Sequence, residues 1–369
     1  MTAPKLHSLL PAKEIFAVDG AGAVARCVKH GLTGSRFADT ATVFGRQLDH
    51  PPFDGFTYRP LSPQLTWLRG RNNSLAHAWL KEARKTGLPD LLEVHNRCQM
   101  AALIAKAQPG LKTILHLHND PREMNGGRSP RERRWLLENL AGVFTVSAYI
   151  RACFLEETGA DESLAARVIV TPNSCDRPAA TSTAPQNLIS VVGRMVPEKG
   201  MLETAQAAAR VLPLHPDWQI VFIGARGYGN TPPSAYEKEV LAALAPLGGQ
   251  ARMTGYLSEA ETRAIQQQAA IAIVLSQWQE PAGLTVIEAL ASGSALITTR
   301  RGGIPEYAEG RAVLLDAADA DDLTPALDRM IGDAAWREGW QQKARDDYPF
   351  TVAEVTRRLD AARQQVLDG

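Results

Sequence analysis

The chain has 369 residues, 45% of them apolar, with 40 basic against 40 acidic side chains. That length exceeds one ordinary α/β core and suits two domains, while the zero net charge argues against nucleic acid as the main partner. No stretch reaches 18 consecutive apolar residues and MTAPKLHSLLPAKE is no secretory signal, so the expectation is a cytoplasmic protein without a spanning helix. Four cysteines, Cys27, Cys98, Cys153 and Cys175, form no C-x-x-C pair, which fits a reducing compartment and argues against a zinc ribbon. The neutral total hides an asymmetry. Residues 1–180 hold 23 basic against 17 acidic side chains, and residues 181–369 hold 17 against 23. A basic first half would suit an anionic membrane surface or a phosphorylated acceptor, and drift between two solvated surfaces explains it equally well.

Along the chain, short apolar runs alternate with helical patterns. Strands are expected at Glu14–Val18, Thr40–Phe44, Leu91–His95, Thr113–Leu117, Val143–Val146 and Val168–Thr171. Helices are expected between them, at Ala21–His30, Ser74–Thr86 and Pro130–Leu140 among others. Residues Ser174–Gln186, SCDRPAATSTAPQ, have no periodicity and read as a linker. A second series follows at Leu188–Val192, Ile220–Ile223, Ile271–Leu275, Ala295–Thr299 and Ala312–Leu315. Thr351–Leu367 is an amphipathic helix that needs a surface to cover. The fold class expected is therefore α/β, two Rossmann-like doubly wound domains at 1–178 and 187–350, with helix 351–369 available to pack back on the first. Ligands of such sheets lie outside the carboxyl ends of the strands, so two sheets facing each other would place the site in the cleft.

The densest chemical signal is QWQEPAGLTVIEALASGSALITT. Glu280 follows a strand, and Pro281 and Gly283 lead into an apolar helix whose one charge is Glu288. A carboxylate buried there would need a ligand or several donors, and pairing with a nearby Arg or Lys is the structural alternative. Free N–H groups at Gly283, Leu284 and Thr285 would make an anion site for a diphosphate. The second signal is VVGRMVPEKG, where Gly193 ends a strand and Arg194 and Lys199 follow five apart. Two cations there suit a leaving diphosphate, although a solvated loop carries such residues as well.

Together, Gly193-Arg194, Glu198-Lys199-Gly200, Glu280 and Glu288 with seven residues between them, and Ala291-Ser292-Gly293 resemble the retaining glycosyltransferases of the GT-B fold, specifically glycosyltransferase family 4. Thr171-Pro172-Asn173 and the Phe144–Ser147 run add to the resemblance, which extends from about Glu14 to Tyr307. It implies that Arg194 and Lys199 hold the donor diphosphate, Glu288 the ribose, Glu280 the transferred sugar, and the Gly283–Thr285 backbone the distal phosphate. It also implies that His118 sits beside the sugar–acceptor junction and that Gly20 and Gly22 belong to a loop closing over donor and acceptor. Gly224-Ala225-Arg226 and Gly255-Tyr256-Leu257 are candidates for the base pocket. The activity implied is transfer of a hexose-type sugar, with retention, from a UDP- or GDP-sugar to a glycan or lipid-linked glycan in cell-surface polysaccharide or lipopolysaccharide synthesis. No metal cofactor is required on this reading.

Three rivals use the same residues. Gly20-Ala-Gly22-Ala-Val-Ala25 fits a dinucleotide fingerprint and would make an NAD-dependent oxidoreductase, yet no acidic residue ends the next strand. His116, His118 and Asp120 fit the start of a metallohydrolase site, yet the only later histidine is His215. A non-catalytic or sugar-epimerising relative would be the third. Asp319 and Asp321, a D-x-D, read as solvated surface. On the acceptor side, Asn119, Asp120, Arg122 and Arg128 lead into an arginine-rich segment with Arg131, Arg133, Arg134 and Trp135. These suggest an anionic or lipid-linked acceptor at the cytoplasmic face of the inner membrane, or arginines paired with Glu132 and Glu138.

Overall fold

The computed structural model describes residues 4–178, 185–227 and 232–369. The linker expected at Ser174–Gln186 falls partly on 179–184, outside the described residues. The chain forms two compact units, Met1–Ser174 with Phe350–Gly369, and Cys175–Pro349. Each is an all-parallel sheet interleaved with helices.

In the first unit the strands are β1 (Leu6–Leu9), β2 (Ala41–Gly45), β3 (Tyr58–Pro60), β4 (Leu91–His95), β5 (Thr113–Leu117), β6 (Gly142–Thr145) and β7 (Val168–Val170), in the order β3-β2-β1-β4-β5-β6-β7. In the second they are β8 (Gln186–Val192), β9 (Gln219–Ile223), β10 (Ala251–Met253), β11 (Ala269–Val274), β12 (Ala295–Thr299) and β13 (Val313–Leu315), in the order β10-β9-β8-β11-β12-β13. Runs such as ALITT and TILHL are buried at every position, as parallel strands covered on both faces must be. In each sheet the strand order reverses once, between β1 and β4 and between β8 and β11. Such a reversal leaves a crevice at the carboxyl ends, because the two connections leave toward opposite faces.

Two expectations change. Glu14–Val18 is not a strand; it is a loop with a single bridge from Ala17 to Pro52. Phe16 in that loop is buried against Phe53 at 5.0 Å, Phe56 at 5.7 Å and Tyr58 at 5.8 Å, so its apolar run serves the core without joining the sheet. The true first strand, LHSL, is half polar and showed no apolar run. The short strands β3 and β10 were also missed; Tyr58-Arg59-Pro60 and Ala251-Arg252-Met253 alternate too little to signal a strand.

The C-terminal helix Val352–Asp368 belongs to the first unit. Its Leu359, Ala362 and Val366 join the core around Phe16, Val28 and Phe37. Leu359 presses on Gly31, where a Cβ would stand 2.8 Å from its Cδ2. The helix is also fixed by charge. Arg363, 2% exposed, donates to Glu93 at 2.8 and 2.9 Å, to the Gly31 carbonyl at 2.8 Å and to Asp360 at 3.0 Å. Asp360 in turn receives the Ser35 hydroxyl at 2.7 Å and the Arg36 N–H at 2.9 Å. Breaking such a pair from one side strands a buried carboxylate. Arg363→Ala should therefore cost about 3–5 kcal/mol, and Glu93→Leu with Arg363→Met should recover much of it. Urea unfolding of the three proteins checks this; a loss under about 1 kcal/mol in the single variant would contradict the anchoring role.

Candidate functional site

The second unit places its chemical residues at the β8/β11 reversal. After β8 the chain runs through Gly193 and Arg194 to a short turn, Pro197–Lys199, and Gly200 then opens helix Met201–Val211. The turn is strapped to the end of β11. The Gln277 N–H donates to the Glu198 carbonyl at 2.9 Å, and the Ser276 hydroxyl oxygen lies 3.2 Å from the same carbonyl. This approach needs glycine. Gly200 has φ +64°, and a Cβ there would stand 1.9 Å from the Leu275 carbonyl oxygen. Gly224, after β9, has φ +131°; a Cβ there would lie 2.0 Å from the Gly193 carbonyl oxygen, and its N–H donates to Gly255 at 2.9 Å. Gly193, Gly224 and the Gly255-Tyr256 turn are thus neighbours, and Tyr256 is 45% exposed.

Lys199 and Glu280 meet directly. The Lys199 ammonium donates to Glu280 Oε1, which also accepts the Ser276 hydroxyl at 2.7 Å. Glu280 is buried, and its carbonyl takes the Gly303 N–H at 2.7 Å, while the Gly302 N–H donates to the Gln279 side chain at 2.6 Å. Sequence reasoning missed Ser276, Gln279, Gly302 and Gly303. The R-G-G run was legible as a turn, but its partner lies about twenty residues earlier. Gly283, with φ +72°, caps helix Leu284–Ala291, so Leu284 and Thr285 sit in a first turn whose N–H groups have no helical acceptor. Arg194 is exposed.

Glu288 differs from expectation. It is half-buried, while Val286, Ile287, Ala289 and Leu290 take the buried face. Its charge bears on Arg263, whose guanidinium is held above its ordinary value, against the cost of burial, by Cys175, then Glu288 and Glu259.

In the first unit three histidines converge at the carboxyl ends of β4 and β5. His95 and His116 pair in register, and His118 lies just beyond. His116 and His118 stack at 4.6 Å, and His95 Nδ1 lies 3.2 Å from His118 Nε2. Asn96 ties the strand ends together, accepting the N–H groups of His118 at 3.2 Å and Asn119 at 3.1 Å. Burial pushes all three imidazoles well below the ordinary value, and the neighbouring rings, with Arg363 near His95 and His116, push the same way. His118, just past the end of β5, is buried beside His116.

Asp120 takes no part in that cluster. Arg122 grips it with bonds of 3.0, 3.0 and 2.6 Å and also reaches Glu156 at 3.0 Å. The H-x-H-x-D metal set is therefore not assembled; the third histidine is upstream, His95, and His215 pairs with Asp328 at 2.8 Å in the other unit. The arginine segment is also largely committed to structure. Arg133 is 2% exposed and donates to the carbonyls of Phe154, Gly127, Arg128 and Glu156 at 2.7–3.0 Å. Arg134 binds Glu138 at 2.5 Å and the Gly159 carbonyl at 2.7 Å. Arg128 and Arg131 remain exposed.

Gly20 and Gly22 lie in the loop before helix Ala23–Leu32, with Gly22 as its N-cap. The Ala25 N–H of that helix's first turn donates to Glu14 at 3.0 Å, and a Cβ on Gly22 would stand 2.5 Å from the same carboxylate. Burial raises the Glu14 carboxyl above its usual range, although Ala25 and two arginines oppose this. A carboxylate seated there disfavours a pyrophosphate, and no strand leads directly into the glycines. Both facts count against the dinucleotide reading.

Residues 176–347, nearly the whole second unit, match the family described as glycosyl transferases group 1. The Bacillus subtilis protein YtcC is 25% identical over 301 residues, 75% of this chain and 73% of its own length. The Salmonella typhimurium lipopolysaccharide 1,2-N-acetylglucosaminetransferase is 24% identical over 259 residues, 66% of this chain and 64% of its own. The Anabaena protein HepE, solved in complex with UDP and glucose, superposes with a TM-score of 0.75 at 16% identity, covering 98% of this chain and 100% of that one. The fold is that of the GT-B glycosyltransferases, with a parallel-sheet α/β domain in each unit.

The strapped turn gives a direct test. Gly200→Ala adds a positive-φ penalty of about 1–2 kcal/mol to a clash with a carbonyl that cannot retreat from β11. It should lower the urea midpoint and displace Lys199 from Glu280. Wild-type stability would show that the close approach is not required.

Proposed function

We propose that this glycosyltransferase, whose second unit matches the glycosyl transferases group 1 family, moves a hexose-type sugar from a UDP- or GDP-sugar to a glycan or lipid-linked glycan, with retention at the anomeric carbon. The observation that carries the donor reading is the Lys199–Glu280–Ser276 cluster at the β8/β11 reversal, beside the helix opened by Gly283. Without a ligand, the ammonium and carboxylate satisfy one another. With a donor bound, Lys199 turns to the diphosphate, joined by Arg194 and the N–H groups at Gly283, Leu284 and Thr285, and Glu280 turns to sugar hydroxyls. Glu288 accepts from the ribose, and the Gly224 and Tyr256 turns flank the base. The sugar–phosphate C–O bond breaks, the acceptor oxygen bonds to the same carbon, and the acceptor's proton ends on the departing nucleoside diphosphate. The residues then act through position and charge, without a dedicated base or a required metal.

His118, Asn119, Asp120, Arg122 and Arg128 are assigned to the acceptor side, with Gly20 and Gly22 in the covering loop. A lipid-linked acceptor draws support from a surface the sequence reading passed over. Leu65, Trp67 and Leu68 are 44, 82 and 64% exposed, next to the exposed Arg69 and Arg71. Apolar side chains beside arginines suit a lipid–water interface in anionic leaflets. This patch replaces the segment around Arg133 as the contact to test, at the cytoplasmic face of a membrane.

Arg194→Ala and Lys199→Ala should each lower turnover by roughly two or more orders of magnitude, the scale of one lost charge stabiliser. Near-wild-type turnover in both would reject the diphosphate assignment.

A thermal-shift screen over UDP-, GDP- and ADP-sugars identifies the donor, since a ligand at 100 times its Kd stabilises by about 2.7 kcal/mol. With that donor, Glu288→Gln should weaken binding of both the nucleotide-sugar and the free nucleoside diphosphate. Glu280→Gln should spare the free diphosphate while impairing transfer. Equal loss of nucleotide affinity in both variants would show that Glu280 lies at the nucleotide.

A further inference from the structure

The histidine cluster has features that a satisfied core does not need. A neutral imidazole offers one donor and one acceptor, and burial normally requires both to be met. Here the Nδ1 atoms of His116 and His118 have no partner, although those residues are only 7 and 8% exposed. Two of the other ring nitrogens are held by hydroxyls. His95 Nε2 meets the Ser8 hydroxyl at 2.8 Å, with Glu93 at 3.8 Å, and His116 Nε2 meets the Thr171 hydroxyl at 3.1 Å. That leaves His116 Nδ1 unpartnered, and His95 Nδ1 and His118 Nε2 with only each other. One nitrogen of each ring lies within 4.8 Å of those of the other two. His95 Nδ1 and His118 Nε2 are 3.2 Å apart. A tetrahedral zinc with bonds of about 2.0–2.1 Å has N···N edges of roughly 3.3 Å, so this pair already has the spacing.

We propose that His95, His116 and His118 bind one divalent transition-metal ion of the zinc class, with Ser8 and Thr171 orienting two of the ligand rings. Three neutral imidazoles select such an ion over magnesium or calcium, which require oxygen ligands. The hydroxyls match the usual arrangement in which a ligating histidine donates its far N–H to a fixed acceptor. Binding replaces the His95–His118 hydrogen bond with two metal bonds and gives the stranded His116 Nδ1 a partner. Resting on the reading that His118 serves the acceptor side, the ion occupies the face of His118 that transfer needs. It therefore inhibits transfer, and a chelator restores it.

The full-length protein, stripped with EDTA and dialysed, is titrated with zinc ion by calorimetry, and its bound metal is counted after gel filtration. Cobalt ion repeats the titration with visible absorption as readout. The expected result is one ion per chain at micromolar or tighter affinity, with the intense bands of a tetrahedral cobalt site. His95→Gln and His116→Gln should each weaken binding at least tenfold, and Ser8→Ala by about tenfold. His215→Gln, in the other unit, should leave it unchanged. Wild-type protein that takes up no stoichiometric zinc overturns the proposal whatever the variants do. So does equal uptake by His95→Gln and His116→Gln when both keep wild-type circular dichroism. Stabilisation by UDP and GDP is measured in the same preparations. Nucleotide stabilisation without zinc uptake removes the metal site alone, and zinc uptake without nucleotide stabilisation removes the donor reading alone.

Discussion

A parallel sheet must send every connection over one face or the other, and where neighbouring connections part, backbone groups at the strand ends are left uncovered. The second unit meets this at β8 and β11 by bringing two loops into contact. Glu198 supplies a carbonyl to the Gln277 N–H, and Gly200 comes so near the Leu275 carbonyl that no side chain fits. Lys199 and Glu280 owe their meeting to this strap. A longer loop or a bulkier residue at position 200 would leave both as ordinary charges in solvent.

The first unit handles the same topological point differently. Its β1/β4 reversal is lined by buried polar groups: Ser8 on β1, Glu93 and His95 on β4, His116 on β5. Asn96, with φ +55°, turns its side chain back to hold the next strand end. Glu93 is compensated by Arg363, which arrives from the end of the chain. Buried polar groups tolerate few alternatives, so they fix side-chain positions at the strand ends more firmly than an apolar core would.

Charge in this molecule is mostly spent on structure. Arg122, Arg133 and Arg134, which in the sequence look like a basic surface, and Arg363 from the C-terminal helix each satisfy nearby carbonyls or carboxylates. An arginine has five donors and binds wherever carbonyls collect at loop ends. Counting basic residues therefore overstates how much positive charge that segment leaves in solvent, while Leu65, Trp67 and Leu68 are exposed apolar side chains that no charge count would mark.

What the sequence determined was whatever depends on local order. Alternation of apolar runs with helical patterns gave two doubly wound sheets, since a buried parallel strand must be apolar over its whole length. Glycines and charges after β8 and β11 pointed to the carboxyl ends of those strands, where ligands of such sheets gather. Tertiary structure decided what depends on distant pairs. Nothing local in LHSL announces a strand, since its Ser8 is tolerable only with His95 as partner. Nothing local separates Glu14–Val18 from a strand, since burying Phe16 needs the core but not the ladder. The third histidine lies twenty-one residues before His116, and only the β4–β5 register makes them neighbours. The Lys199–Glu280 contact likewise spans 81 residues, because parallel strands adjacent in a sheet are separated by whole helices in the chain.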